Sequence, residues 1–166
     1  MAGCVQYDPV DVGGKNSELV FQSRVKGLSK ARLHEELYSK RTLIEHFDKN
    51  MAMYLTSDWP KFARIRDRHQ NADYEVQDLK GAVLQTVSEK KICTPKDLDL
   101  TRKIAWNWQD TSRAKAVLEM LYFQGELGIH HRVRTIRYYC PIQDLPSKEI
   151  LEEADPFSRF TNFKSE

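Results

Sequence analysis

The chain has 166 residues, of which 40% are hydrophobic and 30% are charged, and its formal net charge is +2. This composition is that of a soluble globular protein with one domain or two small ones. The sequence shows no apolar run of membrane-spanning length and no charged-then-apolar leader, so we expect a cytoplasmic protein with no membrane partner.

The first part of the chain is predicted to form one short strand and then helices. Val5–Val10 alternates as a strand that Pro9 ends, and Asn16 and Ser29 are each placed to cap a helix. A third apolar stretch, 43–55, repeats large apolar residues at a spacing of four. Trp59-Pro60 interrupts this pattern, which indicates a domain boundary nearby.

The second part predicts three helices. The first runs from about Asp73 to Lys90 on one apolar stripe. Thr94-Pro95 begins a short helix that continues through Leu100. Asp110-Thr111-Ser112 caps the third helix, and Gly125 is placed to end it.

Two strands with basic residues follow the third helix. Leu127 and Ile129 alternate with polar residues in the first strand, and Val133–Tyr139 forms the second. Three helices followed by a basic hairpin is the winged-helix order, in which the third helix faces a DNA groove. The predicted fold class is therefore mainly α with small β-hairpins (α+β), containing a winged helix-turn-helix.

Positive charge is concentrated in this second part. Residues 101–140 hold seven Lys or Arg against three acids, whereas 144–155 hold five acids against Lys148. A basic segment is what phosphate binding requires, although a solvated surface would show the same charge. The predicted contacts to double-stranded DNA on the third helix are Arg113 and Lys115. Those on the hairpin are Arg137 and, at the hairpin tip, His130, His131, Arg132 and Arg134.

Two tryptophans precede the third helix. Trp106 and Trp108 could stack on a base, but residues of this size more often close a small core. We expect the core role for both.

The first strand carries a pair of polar residues on one face. Gln6 and Asp8 are two residues apart, so they present an amide and a carboxylate side by side. Such a pair can hold a water molecule, which the carboxylate can activate, or can stabilise a cationic sugar. Gln-x-Asp is a common tripeptide, and a solvent-facing strand would also show it by chance.

Ordered blocks along the chain resemble the AlkZ/YcaQ-like family of winged-helix DNA glycosylases. The blocks are 4–10, 19–25, 43–47, 106–114 and 125–127, and the basic hairpin follows the last of them. The similarity extends from Cys4 to about Phe163 and depends on the order of the blocks rather than on one short motif.

This resemblance implies that alkylated or crosslinked bases are removed from DNA, in DNA repair, by hydrolysis of the N-glycosidic bond. The family motif is Gln-x-Gln in one branch and Gln-x-Asp in the other. Gln6-Tyr7-Asp8 matches the second branch, which is associated with unhooking interstrand crosslinks. By carry-over, Asp8 activates the water or stabilises the sugar cation, and Gln6 positions that water. Arg24, within the second block, joins the predicted DNA-binding residues, and neither catalytic role needs a metal or an organic cofactor.

Compared with the family, the chain lacks most of the helix-turn-helix that precedes the motif strand and the parts that follow the second winged helix. It also has His46-Phe47 and Lys49 where the family pattern has Tyr-Trp and His. We therefore expect residues 1–66 to be the remnant of a first winged helix with connecting helices, 67–141 to be a winged-helix domain, and 142–166 to be a linker toward a missing C-terminal part. This length is then expected to be a fragment or a short relative of such an enzyme, and to be inactive in this form if the missing parts are required. An exposed apolar face would favour a homodimer.

Two other functions remain open on the sequence. One is a non-catalytic winged-helix DNA-binding protein, such as a transcription regulator, and the other is a protein-interaction module on the same scaffold. The cysteines do not separate them. Cys4, Cys93 and Cys140 have no metal-type spacing, so free buried thiols are expected and a zinc site is not.

Overall fold

The computed structural model describes residues 4–6, 29–47, 51–106 and 109–156, with the backbone alone for 4–6. The α-helices are α1 (Lys30–Tyr38), α2 (Ala63–Gln70), α3 (Lys80–Lys90), α4 (Arg113–Phe123) and α5 (Lys148–Glu152). The strands are β1 (Cys4–Gln6), β2 (Leu43–Phe47), β3 (Met51–Leu55), β4 (Lys103–Ile104), β5 (Thr111–Ser112), β6 (Leu127–Val133) and β7 (Ile136–Pro141). Short 3₁₀ helices lie at Thr56–Phe62, Gln77–Leu79, Pro95–Asp97 and Ile142–Asp144.

Helices mixed with small antiparallel strand pairs confirm the predicted α+β class. The chain divides into two compact units, one of residues 1–65 with 146–166 and the other Arg66–Leu145. Within the described residues, no helix is both long enough and apolar enough to cross a bilayer.

The first unit contains a three-stranded antiparallel sheet in the order β1-β3-β2. The spacing of four in 43–55 therefore does not mark a helix, since this stretch forms β2 and β3. The three central residues of each strand are buried, so both faces of these strands are covered. A strand covered on both faces carries a continuous apolar run, which periodicity alone does not distinguish from a buried helix.

The predicted helix after Ser29 is confirmed as α1. The Ser29 hydroxyl accepts a hydrogen bond from the backbone N–H of Arg32 at 3.2 Å, which caps the helix. Leu33 and Leu37, four residues apart on one face, pack with Met53 of β3 in a buried cluster. This contact secures the helix to the sheet.

The second unit is built around α4. Nine of the eleven residues of α4 are buried, which leaves Arg113 and Lys115 as its partly exposed positions. The predicted cap is confirmed, because the Ser112 hydroxyl accepts from the backbone N–H of Lys115 at 3.3 Å. The predicted end is also found, since Gly125 takes the left-handed conformation (φ +77°) just after the helix.

Two helices are shorter than their sequence pattern indicates. α3 begins at Lys80 rather than near Asp73, after a 3₁₀ turn, although Val76 is fully buried ahead of it. The helix after Thr94 is one 3₁₀ turn that ends at Asp97, because Leu98 is already extended and the chain goes on to pair as β4.

The cap predicted at Thr94 is present. The Asp97 carboxylate accepts hydrogen bonds from the Thr94 hydroxyl and from its backbone N–H, each at 2.7 Å. These two hydrogen bonds hold the pKa of the Asp97 carboxyl below its ordinary value. The cap therefore fixes the start of this turn even though the helix does not extend.

Two glycines of the second unit give a paired prediction. Gly125→Ala should lower the free energy of unfolding by about 1 kcal/mol or more, because an L-residue is strained at this φ. The new Cβ would also clash with Cδ of the Arg66 side chain. Gly81→Ala in α3 should instead raise the free energy of unfolding by about 0.5 kcal/mol, because alanine favours a helix and nothing lies within 4 Å of the new Cβ.

Urea unfolding of both variants beside the unmodified chain would test this pair. Shifts of the same sign for Gly81→Ala and Gly125→Ala would contradict the assigned backbone conformations.

Candidate functional site

The predicted catalytic strand lies at the edge of the sheet in the first unit. Gln6 is opposite Ala52 in β3, and Ala52 is opposite His46 in β2. Positions opposite one another in an antiparallel sheet share a face. Position 6 is therefore in one cross-sheet row with a small residue and a histidine. Asp8 and Arg24 lie outside the described residues.

His46 is a polar residue in the interior of this unit. Its side chain is fully buried, and its ring packs edge-on against Trp59 with centroids 5.0 Å apart. Nδ1 is 3.2 Å from the carbonyl oxygen of Phe47. His46 was not among the predicted site residues, although a histidine inside an apolar stretch set it apart in the sequence.

Glu45 occupies the next row, opposite Met53, and is also buried. The Tyr38 hydroxyl donates a hydrogen bond to its Oε1, which connects α1 to β2. A buried carboxylate needs such a partner because desolvation penalises its charge. Glu45 therefore contributes to the attachment of α1 as well as to the sheet.

The second group of predicted site residues is on the β6–β7 hairpin. Its tip is the two-residue turn Arg134-Thr135, with Arg134 at φ +56°. His130, His131 and Arg132 were predicted at the tip, but they lie within β6. The prediction was wrong because β6 continues to Val133, beyond the alternation that Leu127 and Ile129 show.

An irregularity in β6 sorts the hairpin residues between two faces. The register shifts between Ile129 and His131, after which His131 is opposite Tyr138 and Arg132 is opposite Arg137. The rings of His131 and Tyr138 stack with centroids 4.3 Å apart. The two arginines therefore share the other face.

Arg137 is held by a polar network on the side of α4. Its Nη1 is 2.9 Å from Oε1 of Glu119, and the other oxygen of Glu119 accepts from the indole nitrogen of Trp106 at 2.9 Å. Nη1 of Arg137 also reaches the hydroxyl of Tyr139 at 3.4 Å. Burial raises the pKa of the Tyr139 hydroxyl, so this group is neutral at ordinary pH.

The side chain of Glu119 is 11% exposed and that of Arg137 is 20% exposed. Arg137 is therefore already committed to a carboxylate, which the sequence could not show because Glu119 is far from it in the chain. Trp106 was expected in a core, and here its indole nitrogen fixes Glu119. Trp108 lies outside the described residues.

The two cations of α4 differ in their partners. Arg113 is 3.5 Å from the carboxylate of Asp78, a loose ion pair. Lys115 forms no ion pair with any residue that the structure describes. Lys115 is thus available to bind an anion, whereas Arg113 would first have to give up its ion pair with Asp78.

A pocket of about 220 Å³ lies between α4 and the hairpin. Its lining residues are Pro95, Lys115, Glu119, Thr135, Ile136, Arg137 and Tyr139. It brings together two of the predicted DNA-binding residues, Lys115 and Arg137, but not Arg113 or Arg134. In the part of the chain that the structure describes, no cluster of three or more His, Cys, Asp or Glu is placed to hold a metal ion.

The Glu119–Arg137 pair gives a stability prediction. Glu119→Ala should lower the free energy of unfolding by about 2–3 kcal/mol, because it leaves a mostly buried guanidinium without its countercharge. Glu89→Ala, on the exposed face of α3, should change it by less than about 0.5 kcal/mol. Chemical denaturation measures both, and equal losses would show that the pair adds nothing to stability.

No curated protein and no solved structure matches the chain significantly. A family model does match, and its description is DNA glycosylase AlkZ-like. The match extends over residues 2–159, which includes the Gln6 strand, the sheet of the first unit and the whole of the second unit. The chain therefore belongs to the AlkZ-like DNA glycosylase family.

Proposed function

We propose that the chain takes part in DNA repair by hydrolysing the N-glycosidic bond of alkylated or crosslinked bases in double-stranded DNA. The observation that carries this proposal is the family match, because it covers the segment with Gln6 and Asp8 as well as the basic hairpin. We place this activity in the cytoplasm, on the nucleoid.

In the proposed reaction, Asp8 provides the negative charge. The bond between sugar and base lengthens as positive charge develops on the sugar, and a carboxylate stabilises that charge or takes a proton from the attacking water. The bond electrons leave with the base, and the water oxygen bonds to the anomeric carbon. Gln6 holds this water in place through its amide.

The backbone of β1 supports a positioning role for residue 6. β1 is hydrogen-bonded to β3 with Gln6 opposite Ala52, and β3 is buried at its three central residues. A strand anchored in this way is a more rigid support for a reacting group than a loop. In the same row, the fully buried His46 packs against Trp59 and stiffens the sheet from its other edge.

We further propose that the second unit is a winged helix that holds DNA backbone phosphates. Its element order supports this assignment, since α3, the turn at Pro95–Asp97 and α4 are followed by the β6–β7 hairpin. Cys93, between α3 and that turn, also pairs with Tyr139 of β7 through two backbone hydrogen bonds of 2.9 and 2.8 Å. Because α4 is buried at every position except Arg113 and Lys115, we assign the helix mainly a supporting role and place the exposed phosphate contacts on the hairpin.

The first experiment compares Asp8→Asn with the unmodified sequence. The substrate is DNA with an alkylated base or an interstrand crosslink, and both this chain and an N- and C-terminally extended version are measured. Single-turnover kinetics should show a rate at least about 100-fold lower for Asp8→Asn. DNA affinity should stay the same. Asp11→Asn, which removes a carboxylate three residues away, is the matched control and should keep the unmodified rate.

An equal rate for Asp8→Asn and the unmodified sequence would remove Asp8 from the mechanism. Salt-dependent binding to intact DNA with no abasic-site formation in either length would favour a non-catalytic DNA-binding protein instead. Sedimentation velocity on the same samples tests the proposed homodimer.

A second experiment tests the hairpin. Arg134 is exposed at the turn and keeps a charged side chain at a left-handed position where glycine is less strained. Arg134→Asn should weaken binding to duplex DNA several-fold at low salt and should reduce the slope of log affinity against log salt by about 1.

Lys91→Asn is the matched control, because Lys91 is also exposed and also has a positive φ (66°). Thermal unfolding of both variants checks that each change of residue type leaves the fold intact. Fluorescence anisotropy at two salt concentrations measures both variants. An equal effect of the two changes would mean that net charge, and not the hairpin, determines binding.

A further inference from the structure

We propose that the pocket between α4 and the β6–β7 hairpin is a phosphoryl-group site that takes one phosphodiester of a nucleic-acid strand, with Arg137 and Lys115 as its cations. The choice of a nucleic-acid strand depends on the function proposed above. The pocket itself is defined by geometry alone, and its volume of about 220 Å³ is below that of typical pockets for drug-sized ligands.

Arg137 lines this pocket, and one edge of its guanidinium is not used by any described residue. Its Nη1 is occupied by Glu119 and Tyr139, whereas Nε and Nη2 donate no hydrogen bond to any described residue. Neither nitrogen is among the buried unsatisfied atoms of the described residues, and the Arg137 side chain is 20% exposed. Nε and Nη2 form the side edge of the guanidinium, which matches two oxygens of a phosphate group.

Glu119 orients this edge before any ligand arrives. One oxygen holds Nη1 of Arg137 at 2.9 Å, and the other is held by the indole nitrogen of Trp106 at 2.9 Å. The guanidinium therefore has a fixed direction, so little side-chain entropy is lost on binding. The network Trp106–Glu119–Arg137 gives the pocket a preorganised cation.

The charge around the pocket favours a single anion. Glu119 offsets one positive charge, and Lys115 supplies another that no described acidic residue pairs with. Arg132, opposite Arg137 across the hairpin, adds a third cation on the same face. Thr135 also lines the pocket and carries a hydroxyl, which can donate a hydrogen bond.

The indole nitrogen of Trp106 provides a direct readout of the pocket. The chain has 3 tryptophans, so an NMR spectrum of ¹⁵N-labelled full chain should show up to three indole signals, and Trp106→Phe identifies the relevant one. Because this indole donates to Glu119, its signal should move when an anion binds Arg137. The probes are inorganic phosphate and an undamaged duplex oligonucleotide.

Three variants make the test specific. Arg137→Lys keeps the charge beside Glu119 but removes the two-donor edge, and Lys115→Ala removes the second cation. Lys103→Ala is the matched control, because it removes one exposed lysine of the same unit that does not line the pocket. Thermal unfolding of each variant checks that the unit still folds.

We expect inorganic phosphate and the duplex each to shift the Trp106 signal in the unmodified chain and in Lys103→Ala. Both Arg137→Lys and Lys115→Ala should weaken the response to the duplex by about tenfold. A shift with phosphate but none with the duplex would contradict the claim that the phosphoryl group belongs to a nucleic-acid strand. Equal responses in all variants would contradict the claim that Arg137 and Lys115 bind it in this pocket. None of these signals depends on bond cleavage, so a lack of abasic-site formation in both this chain and the extended version would reject the proposed glycosylase function without affecting this result.

Discussion

Burial of α4 on nearly every side is the constraint on which the second unit depends. A helix with nine of eleven residues out of water must be covered by other elements around its circumference. The one acid among those nine, Glu119, must then find partners inside, and it finds Trp106 and Arg137. The same burial that stabilises the unit therefore fixes the direction of an arginine on the hairpin.

This constraint also separates the cations of the basic segment by role. In sequence they are equivalent, but in the structure Arg113 faces Asp78, Arg137 faces Glu119, and Arg134 is exposed at a turn. Counting positive residues overstates the charge available to DNA, because a paired guanidinium offers only the edge that its partner leaves open. The hairpin tip and the α4 pocket are thus two chemically different places for a phosphate.

The features that the sequence predicted are those specified by local chemistry. Ser29 and Ser112 cap helices because a hydroxyl satisfies a nearby backbone N–H, and Gly125 ends α4 because it tolerates a positive φ. The apolar residues of 43–55 were misleading, since pairing with β1 and packing of α1 cover the sheet from outside that segment. Long-range pairing of this kind leaves no periodic trace in the strands themselves.

The candidate site shows the same division. Gln6 and Asp8 could be selected because they are two residues apart in the first of the blocks that carry the family resemblance. His46 could not, because its relation to position 6 exists only through Ala52 in a strand between them. Likewise, the pairing of Glu119 with Arg137 requires the packing of the hairpin against α4, which neither residue type indicates.

The register shift in β6 determines the chemical character of the hairpin's two faces. Before the shift Ile129 is opposite Tyr139, and after it Arg132 is opposite Arg137. A regular ladder continued from Ile129 would instead place His131 opposite Arg137 and Arg132 opposite Ile136. The pocket would then gain a titratable imidazole in place of a permanent cation. The one extra residue at this irregularity therefore decides which later side chains of β6 share the face of Arg137, although no cation changes its place in the sequence.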